Sequence, residues 1–398
     1  MKKLIFKNIN ELAPTGGPNG YIYNLKQGLD LIDDNEISFL DETIDKKEKI
    51  ENKCVIKKLY HKFVPKLFQK FRKKKIFLNE VNNIVFYNKR KLFINLNDYD
   101  LIHFHSTFDL YSVRDELKNY NGKILLTSHS PKPAFLELLD SYKSEGINNL
   151  EKFMFLSTVD EYAFNKADYI IFPCEEAEEP YYNQWDKYKE IHEKNKEKYR
   201  YILSGIKGCS TKISKDEARK KYNIPSDAFL ISYVGRHNEV KGYDLLKEIG
   251  KETLEKFSNI YFIIAGKEGP LYKLENERWI EVGWTNDPHS IIAASDLFIL
   301  PNKETYFDLV FLEVLSLGIP MLVSNTGGNK YFKKFDKSGI FYFNNKEEAV
   351  SSINQILDLN EEELKGKGKL NKKIFEENFN EKIFAENYIK LINNLAKE

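Results

Sequence analysis

Short β-rich runs alternate with helical patterns along the whole sequence, and the rhythm occurs twice. In the first half the runs are LIFKNI (4–9), EISFL (36–40), NIVFY (83–87), LIHFH (101–105), KILLTSH (123–129) and YIIFP (169–173). In the second they are FLISYVG (229–235), IYFIIAG (260–266), WIEVG (279–283), LFILP (297–301), PMLVS (320–324) and GIFYF (339–343). Apolar strands separated by helices make parallel sheets covered on both faces, so the chain is expected to be α/β and doubly wound. Its 398 residues hold two Rossmann-like units at roughly 100–200 residues each. The boundary is expected near 200–212, where the charged helical stretch 186–200 gives way to YILSGIKGCSTK and a new strand pattern. Phe384, Tyr388, Leu391 and Leu395 mark a final amphipathic helix.

A formal net charge of +1 argues against a general nucleic-acid binder, whose footprint is an overall basic surface. Cys54, Cys174 and Cys209 are odd in number and lack CxxC spacing, so neither a disulfide framework nor a zinc site is indicated. A reducing cytoplasm is the expected compartment. The opening MKKLIF begins like a signal peptide, but Lys7, Asn8 and Asn10 interrupt it. No run approaches the roughly 18 apolar residues of a membrane span.

Three stretches carry chemistry. ISYVGRHNEVKGYDLL (231–246) reads as a strand ending at Gly235, a loop with Arg236 and Lys241, and a helix from about Gly242. Ligands in such sheets bind outside the carboxyl ends of strands, where helix N-termini attract phosphate. There Arg236 and Lys241 would neutralise a diphosphate without a metal; the alternative is a pair of solvated surface cations. TGGPNGY (15–21) follows the first strand at the corresponding place, as a backbone approach to a ligand or an ordinary turn. In PNKETYFDLVFLEVLSLGIP (301–320), Val310, Glu313, Val314 and Leu317 fall at helical spacing and Gly318-Ile319-Pro320 stops the helix. An inward-facing Glu313 then needs a partner.

These stretches, with LIHFHS, LLTSHS, ADYIIF (167–172), SGIK (204–207), IIAGKEGP, VGW (282–284), SDLFILPN (295–302) and LEVLSLGIPMLVSNTGG, resemble the retaining GT-B glycosyltransferases of family 4. The resemblance spans nearly the whole chain. It implies two Rossmann-like domains facing a cleft: an acceptor-side domain over 1–203 and a nucleotide-sugar domain over 204–379. The helix 380–398 is expected to pack back toward the first domain.

The resemblance implies no cofactor and no metal; the donor substrate is a nucleotide sugar, with a UDP-sugar favoured. It puts Gly16 and Gly17 against the donor diphosphate, with Arg236 and Lys241 as its cationic clamp. His129 is similar to the histidine beside the transferring sugar, Glu313 to the glutamate that holds the ribose hydroxyls, and Val282–Gly283 to the part bordering the base. Thr305, Phe307 and Leu309 complete the donor contacts. One departure concerns the sugar: the family pairs two glutamates, and counting back eight from Glu313 gives Thr305, with Asp308 where a glycine is usual and Glu304 one residue out of register. Thr305 and Asp308 are therefore expected to replace the missing carboxylate jointly, and Asp308 joins His129, Arg236 and Lys241 as a catalytic candidate.

His103 and His105 share a face of one strand, and packing is favoured over metal binding because no Cys or further His cluster supports the latter. Asp98-Tyr99-Asp100 reads as a turn leading into the LIHFH strand. Segment 53–75 is basic and free of acids, with Leu59, Phe63, Leu67 and Phe71 spaced by four. It is either a contact with anionic lipid at the inner face of the cell membrane or a helix with a solvated basic face. The expected activity is metal-independent, retaining transfer of a sugar to a glycan, lipid-linked or polymer acceptor. Its rivals are a non-catalytic GT-B subunit that binds a partner or glycan, and a GT-B sugar-nucleotide epimerase.

Overall fold

The structure, a computed structural model, describes residues 2–7, 12–14, 17–34, 36–40, 74–75, 79, 94–144 and 150–395. The NIVFY run, Gly16, Cys54 and segment 53–75 apart from its last two residues lie outside them.

Two parallel six-stranded sheets organise the chain. The first comprises β1 (Lys3–Phe6), β2 (Ile37–Phe39), β3 (Leu101–Phe104), β4 (Lys123–Leu126), β5 (Tyr169–Phe172) and β6 (Tyr199–Tyr201), in the order β2-β1-β3-β4-β5-β6. The second comprises β7 (Phe229–Val234), β8 (Ile260–Ala265), β9 (Trp279–Gly283), β10 (Leu297–Leu300), β11 (Met321–Ser324) and β12 (Ile340–Phe343), in the order β12-β11-β10-β7-β8-β9. Central strands are buried on both faces, as the apolar runs require. Even Lys3 is buried in β1, its ammonium 3.0 Å from Glu36.

Helices α1 (Gly17–Leu31), α2 (Thr107–Ser112), α3 (Ala134–Ser144), α4 (Leu150–Lys166), α5 (Glu179–Gln184) and α6 (Tyr188–Asn195) accompany the first sheet. Helices α7 (Lys215–Lys221), α8 (Tyr243–Lys256), α9 (Pro288–Ala294), α10 (Leu309–Leu317), α11 (Lys346–Leu357) and α12 (Glu361–Asn378) accompany the second. The last, α13 (Glu381–Leu395), returns to the first sheet, where Phe384, Tyr388 and Ile392 join Ile5, Tyr21 and Leu25 in one core. Gly28 permits this contact: a Cβ there would lie 2.0 Å from the carbonyl oxygen of Glu381. A second core runs through both halves, joining Phe104, Phe172 and Tyr181 to Tyr306, Phe311 and Phe379.

Two local expectations are corrected. The charged stretch 186–200 is helical only to Asn195 before a 3₁₀ turn, and Tyr199–Tyr201 forms edge strand β6. In α10 the buried residues are Phe311, Leu312, Val314, Leu315 and Ser316, because the helix is wedged between its sheet and α12, whereas Val310, Glu313 and Leu317 are only half-buried. Gly318 closes α10 in the left-handed conformation (φ 70°), its N–H donating to Leu315 O at 3.0 Å. Asp98 ends a 3₁₀ turn before β3, and Asp100 accepts from the Lys2 N–H at 2.7 Å, in keeping with the turn expected there.

Candidate active site at the two switch points

The strand order reverses between β7 and β10 in the second sheet and between β1 and β3 in the first. A crevice opens at such a point, beyond the carboxyl ends of the strands. The loops leaving β7, β10 and β1 hold most of the expected site, and His129 follows β4.

After β7, residues 236–242 fold onto residues 301–303. The Lys303 N–H donates to Val240 O at 3.0 Å, and Gly242 is left-handed (φ 64°). A Cβ at Gly242 would come within 1.7 Å of Pro301 O, so the approach of the two loops requires glycine. It brings the Lys241 ammonium to 2.6 and 2.7 Å from the two carboxylate oxygens of Asp308, which also accepts from the Asn302 amide. Asp308 is thus engaged by Lys241 and Asn302 rather than left open toward a sugar. It occupies the N-cap of α10 without capping through its side chain, so the first turn of that helix keeps free N–H groups. Arg236 is exposed on the same loop.

Glu313 has the partner its position demands, in a place no local pattern indicates. His289, in the first turn of α9, brings Nε2 to 3.6 Å from the Glu313 carboxylate. Hydrogen bonding to Cys209 and then to Glu313 pushes the His289 pKa up to about 10 against partial burial, so the imidazole is cationic at neutral pH. Cys209 is held against α10 by its N–H, which donates to Ser316 Oγ at 3.2 Å. The approach of His289 and Cys209 to Glu313 was not visible in the sequence.

Thr305 is 1% exposed, and its hydroxyl has no partner among the described residues. Its carbonyl oxygen would lie 2.0 Å from a Cβ at Gly327, so a close backbone contact holds this residue inside. Phe307 is buried among Phe332, Tyr331 and Phe379. Val282 is half-buried, and Gly283, with φ 74°, has open space where a Cβ would stand.

In the first half, Gly17 opens α1, so the glycine run ends as a helix N-terminus instead of continuing as a loop. The His129 carbonyl oxygen is 3.9 Å from where a Gly17 Cβ would be. His129 has φ 60°, a left-handed conformation that is strained for a non-glycine residue. Its Nε2 lies 2.6 Å from Nδ1 of His105, and Tyr21 packs edge-on against it with centroids 4.6 Å apart. Burial lowers the pKa values of His105 and His129 well below the usual imidazole range, with neighbouring charges adding to the effect, so both stay neutral. His103 is satisfied by Tyr388 and Thr127 at 2.8 Å each, the packing role expected of it.

Contacts across the seam draw the two sets together. Leu309 touches Gly20 of α1: its Cδ1 lies 2.9 Å from where a Cβ would stand. Lys132, just beyond His129, is 7% exposed and sits 2.8 Å from Asp140 and 3.6 Å from Glu304. Glu304 therefore reaches across the seam while its neighbour Thr305 is enclosed. Farther along, Glu179 binds Lys330 and approaches the Gly327 N–H at 3.4 Å. Among the described residues, no group of three His, Cys, Asp or Glu is placed to hold a metal ion, and no helix is long and apolar enough to cross a membrane.

Residues 214–374 match the family described as glycosyl transferases group 1. The O-antigen biosynthesis glycosyltransferase WclY of Escherichia coli is 28% identical over 191 residues, or 45% of this chain and 51% of that protein. The Escherichia coli UDP-Gal:α-D-GlcNAc-diphosphoundecaprenol α-1,3-galactosyltransferase is 28% identical over 160 residues, 37% of this chain and 41% of that one. The chain spans about half the length of the curated relatives it matches. A sucrose-phosphate synthase from Thermosynechococcus elongatus superposes with a TM-score of 0.64 at 17% identity, covering 99% of this chain and 98% of the other. Two parallel six-stranded sheets in this arrangement make the fold GT-B.

Proposed function

We propose that the chain is a glycosyltransferase that moves a sugar from a UDP-sugar to a hydroxyl of a glycan or lipid-linked acceptor, with retention and without a metal. The observation that carries this reading is the meeting of the α1 and α10 N-termini, His129 and the Lys241–Asp308 pair beyond the switch points of both sheets. The match of residues 214–374 supports transfer, and the galactosyltransferase, by its name, supports a UDP-sugar donor and a diphosphoundecaprenol-linked acceptor. Such an acceptor would set the reaction at the inner face of the cell membrane, with segment 53–75 as the anionic-lipid contact.

In this reading the diphosphate lies at the α10 N-terminus between Arg236 and Lys241, with the Gly17 N–H approaching from α1. Val282–Gly283 borders the base, and Glu313 takes the ribose hydroxyls, with His289 Nε2 3.6 Å from its carboxylate. His129 lies beside the sugar. Glu304 supplies the sugar-facing carboxylate in place of Thr305, since it reaches across the seam to Lys132, just beyond His129. The acceptor oxygen bonds to the anomeric carbon on the face from which the diphosphate departs, and its proton passes to the leaving phosphate oxygen. Lys241 and Arg236 stabilise the charge that develops there, a contribution typically of about 3–4 kcal/mol per preorganised group.

A thermal-shift panel of UDP-, GDP- and ADP-sugars tests the reading. A donor at about 100 times its dissociation constant stabilises by about 2.7 kcal/mol, so the UDP-sugar should raise the melting temperature and be consumed with acceptor. No shift with any donor defeats the proposal; binding without turnover on any acceptor returns the chain to a non-catalytic role.

A further inference from the structure

A cavity of ≈ 550 Å³ opens away from these switch points, at the carboxyl ends of β5 and β6. In the first sheet β6 lies three strands from β3, about 14 Å at the usual strand spacing. One wall is α13, which turns Asn387, Lys390, Leu391 and Asn394 toward the cavity. Their spacing of three, four and seven puts them on one helix face, while Phe384, Tyr388 and Ile392 hold the opposite face in the core. Tyr201 and Tyr331 supply aromatic rings, the second from the other half of the chain.

The lining is chemically mixed. The Tyr201 ring is 39% exposed while its hydroxyl is fixed on Glu178 at 2.5 Å, which leaves a ring of set orientation beside the opening. Among the described residues, the side chains of Asn387, Lys390 and Asn394 make no hydrogen bond or ion pair. Two amides, an ammonium and the carboxylates of Glu175 and Glu176 therefore offer both donors and acceptors next to ring faces. Glu175 and Glu176 are balanced by Lys390 and by Lys334, whose ammonium lies 3.8 Å over the Tyr331 ring, so no net positive field is left to attract phosphate. Hydroxyls that both donate and accept, on a ring with apolar C–H faces, match this set, and the volume is that of a small-ligand site.

We propose that this cavity is a second saccharide site, which holds a neutral sugar unit of the glycan away from the transfer seam. The choice of a glycan rests on the transferase reading. In an elongating enzyme the site retains the chain between additions, and the two tyrosines couple its occupancy to both halves.

The test uses the full chain, without nucleotide, on an array of bacterial surface oligosaccharides, with titration of the strongest binder. Asn387→Ala/Asn394→Ala, on an exposed helix face, should weaken that binding about tenfold, and Tyr201→Ala likewise. UDP affinity by calorimetry should be unchanged in both variants. No bound glycan, or binding lost in Glu304→Ala but intact in the Asn387/Asn394 variant, overturns the proposal. Failure of UDP to bind while the glycan signal maps to Tyr201 would instead defeat the donor reading and leave this site standing.

Discussion

Replacing Asp308 with Asn removes one negative charge beside Lys241 and keeps a hydrogen-bonding side chain of the same size. The Asp308 oxygens lie 2.6 and 2.7 Å from the ammonium. An ammonium that also takes a donor phosphate oxygen at ~3 Å places the carboxylate and phosphate charges about 6 Å apart. Two unit charges at ~6 Å in an effective dielectric of ~20 repel by about 2.8 kcal/mol, and screening over ~10 Å lowers this to about 1.5 kcal/mol. Asp308→Asn should therefore bind UDP about ten- to a hundredfold more tightly. Calorimetry at about 0.05 M and 0.5 M salt reads both the gain and its origin, because the gain should shrink as salt rises. Unchanged or weaker UDP binding, or a gain indifferent to salt, refutes the reasoning.

Other expectations follow from the same geometry. His289, with its pKa raised to about 10 in the folded chain against ~6.5 unfolded, contributes stability that is complete below about pH 6.5 and lost as pH climbs toward 10. The excess urea midpoint of wild type over His289→Gln should fall across that window, and a flat difference contradicts the ion pair. Gly28→Ala drives a Cβ to 2.0 Å from a backbone oxygen of α13 and should cost about 1–3 kcal/mol in urea unfolding. Gly20→Ala meets the end of the Leu309 side chain at 2.9 Å and the backbone oxygen of Pro14 only at 3.4 Å, and should cost much less; equal costs would mean that α1 and α13 do not touch as described. Glu304→Gln should lower kcat for transfer about a hundredfold without altering UDP affinity, whereas Thr305→Val should leave transfer near normal. The reverse pattern of rates returns the sugar contact to Thr305.

The doubly wound plan was legible because buried parallel strands are continuous apolar runs, and each run between 101 and 343 in the sequence contains an observed strand. β6 was not, since Tyr199-Arg200-Tyr201 sits among charges. As an edge strand it needs little apolar surface, and Arg200 packs its guanidinium over Tyr169 at 5.1 Å. Gly318 was legible as a helix stop and is left-handed, whereas the left-handed turn at Gly242, read only as a helix start, was not. The partners of the site were hidden for a different reason. His289 and Cys209 reach Glu313 from separate elements, and Lys132 meets Glu304 across the seam, through contacts that carry no periodicity. The enclosure of Thr305 depends on the backbone of Gly327, over twenty positions later, which a count from Glu313 cannot register.

The return of α13 to the first sheet has a consequence for how the chain is made. Tyr21, Leu25 and Leu29 share their core with Phe384, Tyr388, Ile392 and Leu395. On the ribosome an amino-terminal unit ordinarily closes before its successor is complete. Here the core that α1 begins on one face of the first sheet is not closed until residues 381–395 emerge, after the second half has been translated. The earlier half thus matures last, and for most of synthesis it presents an apolar surface that chaperones recognise.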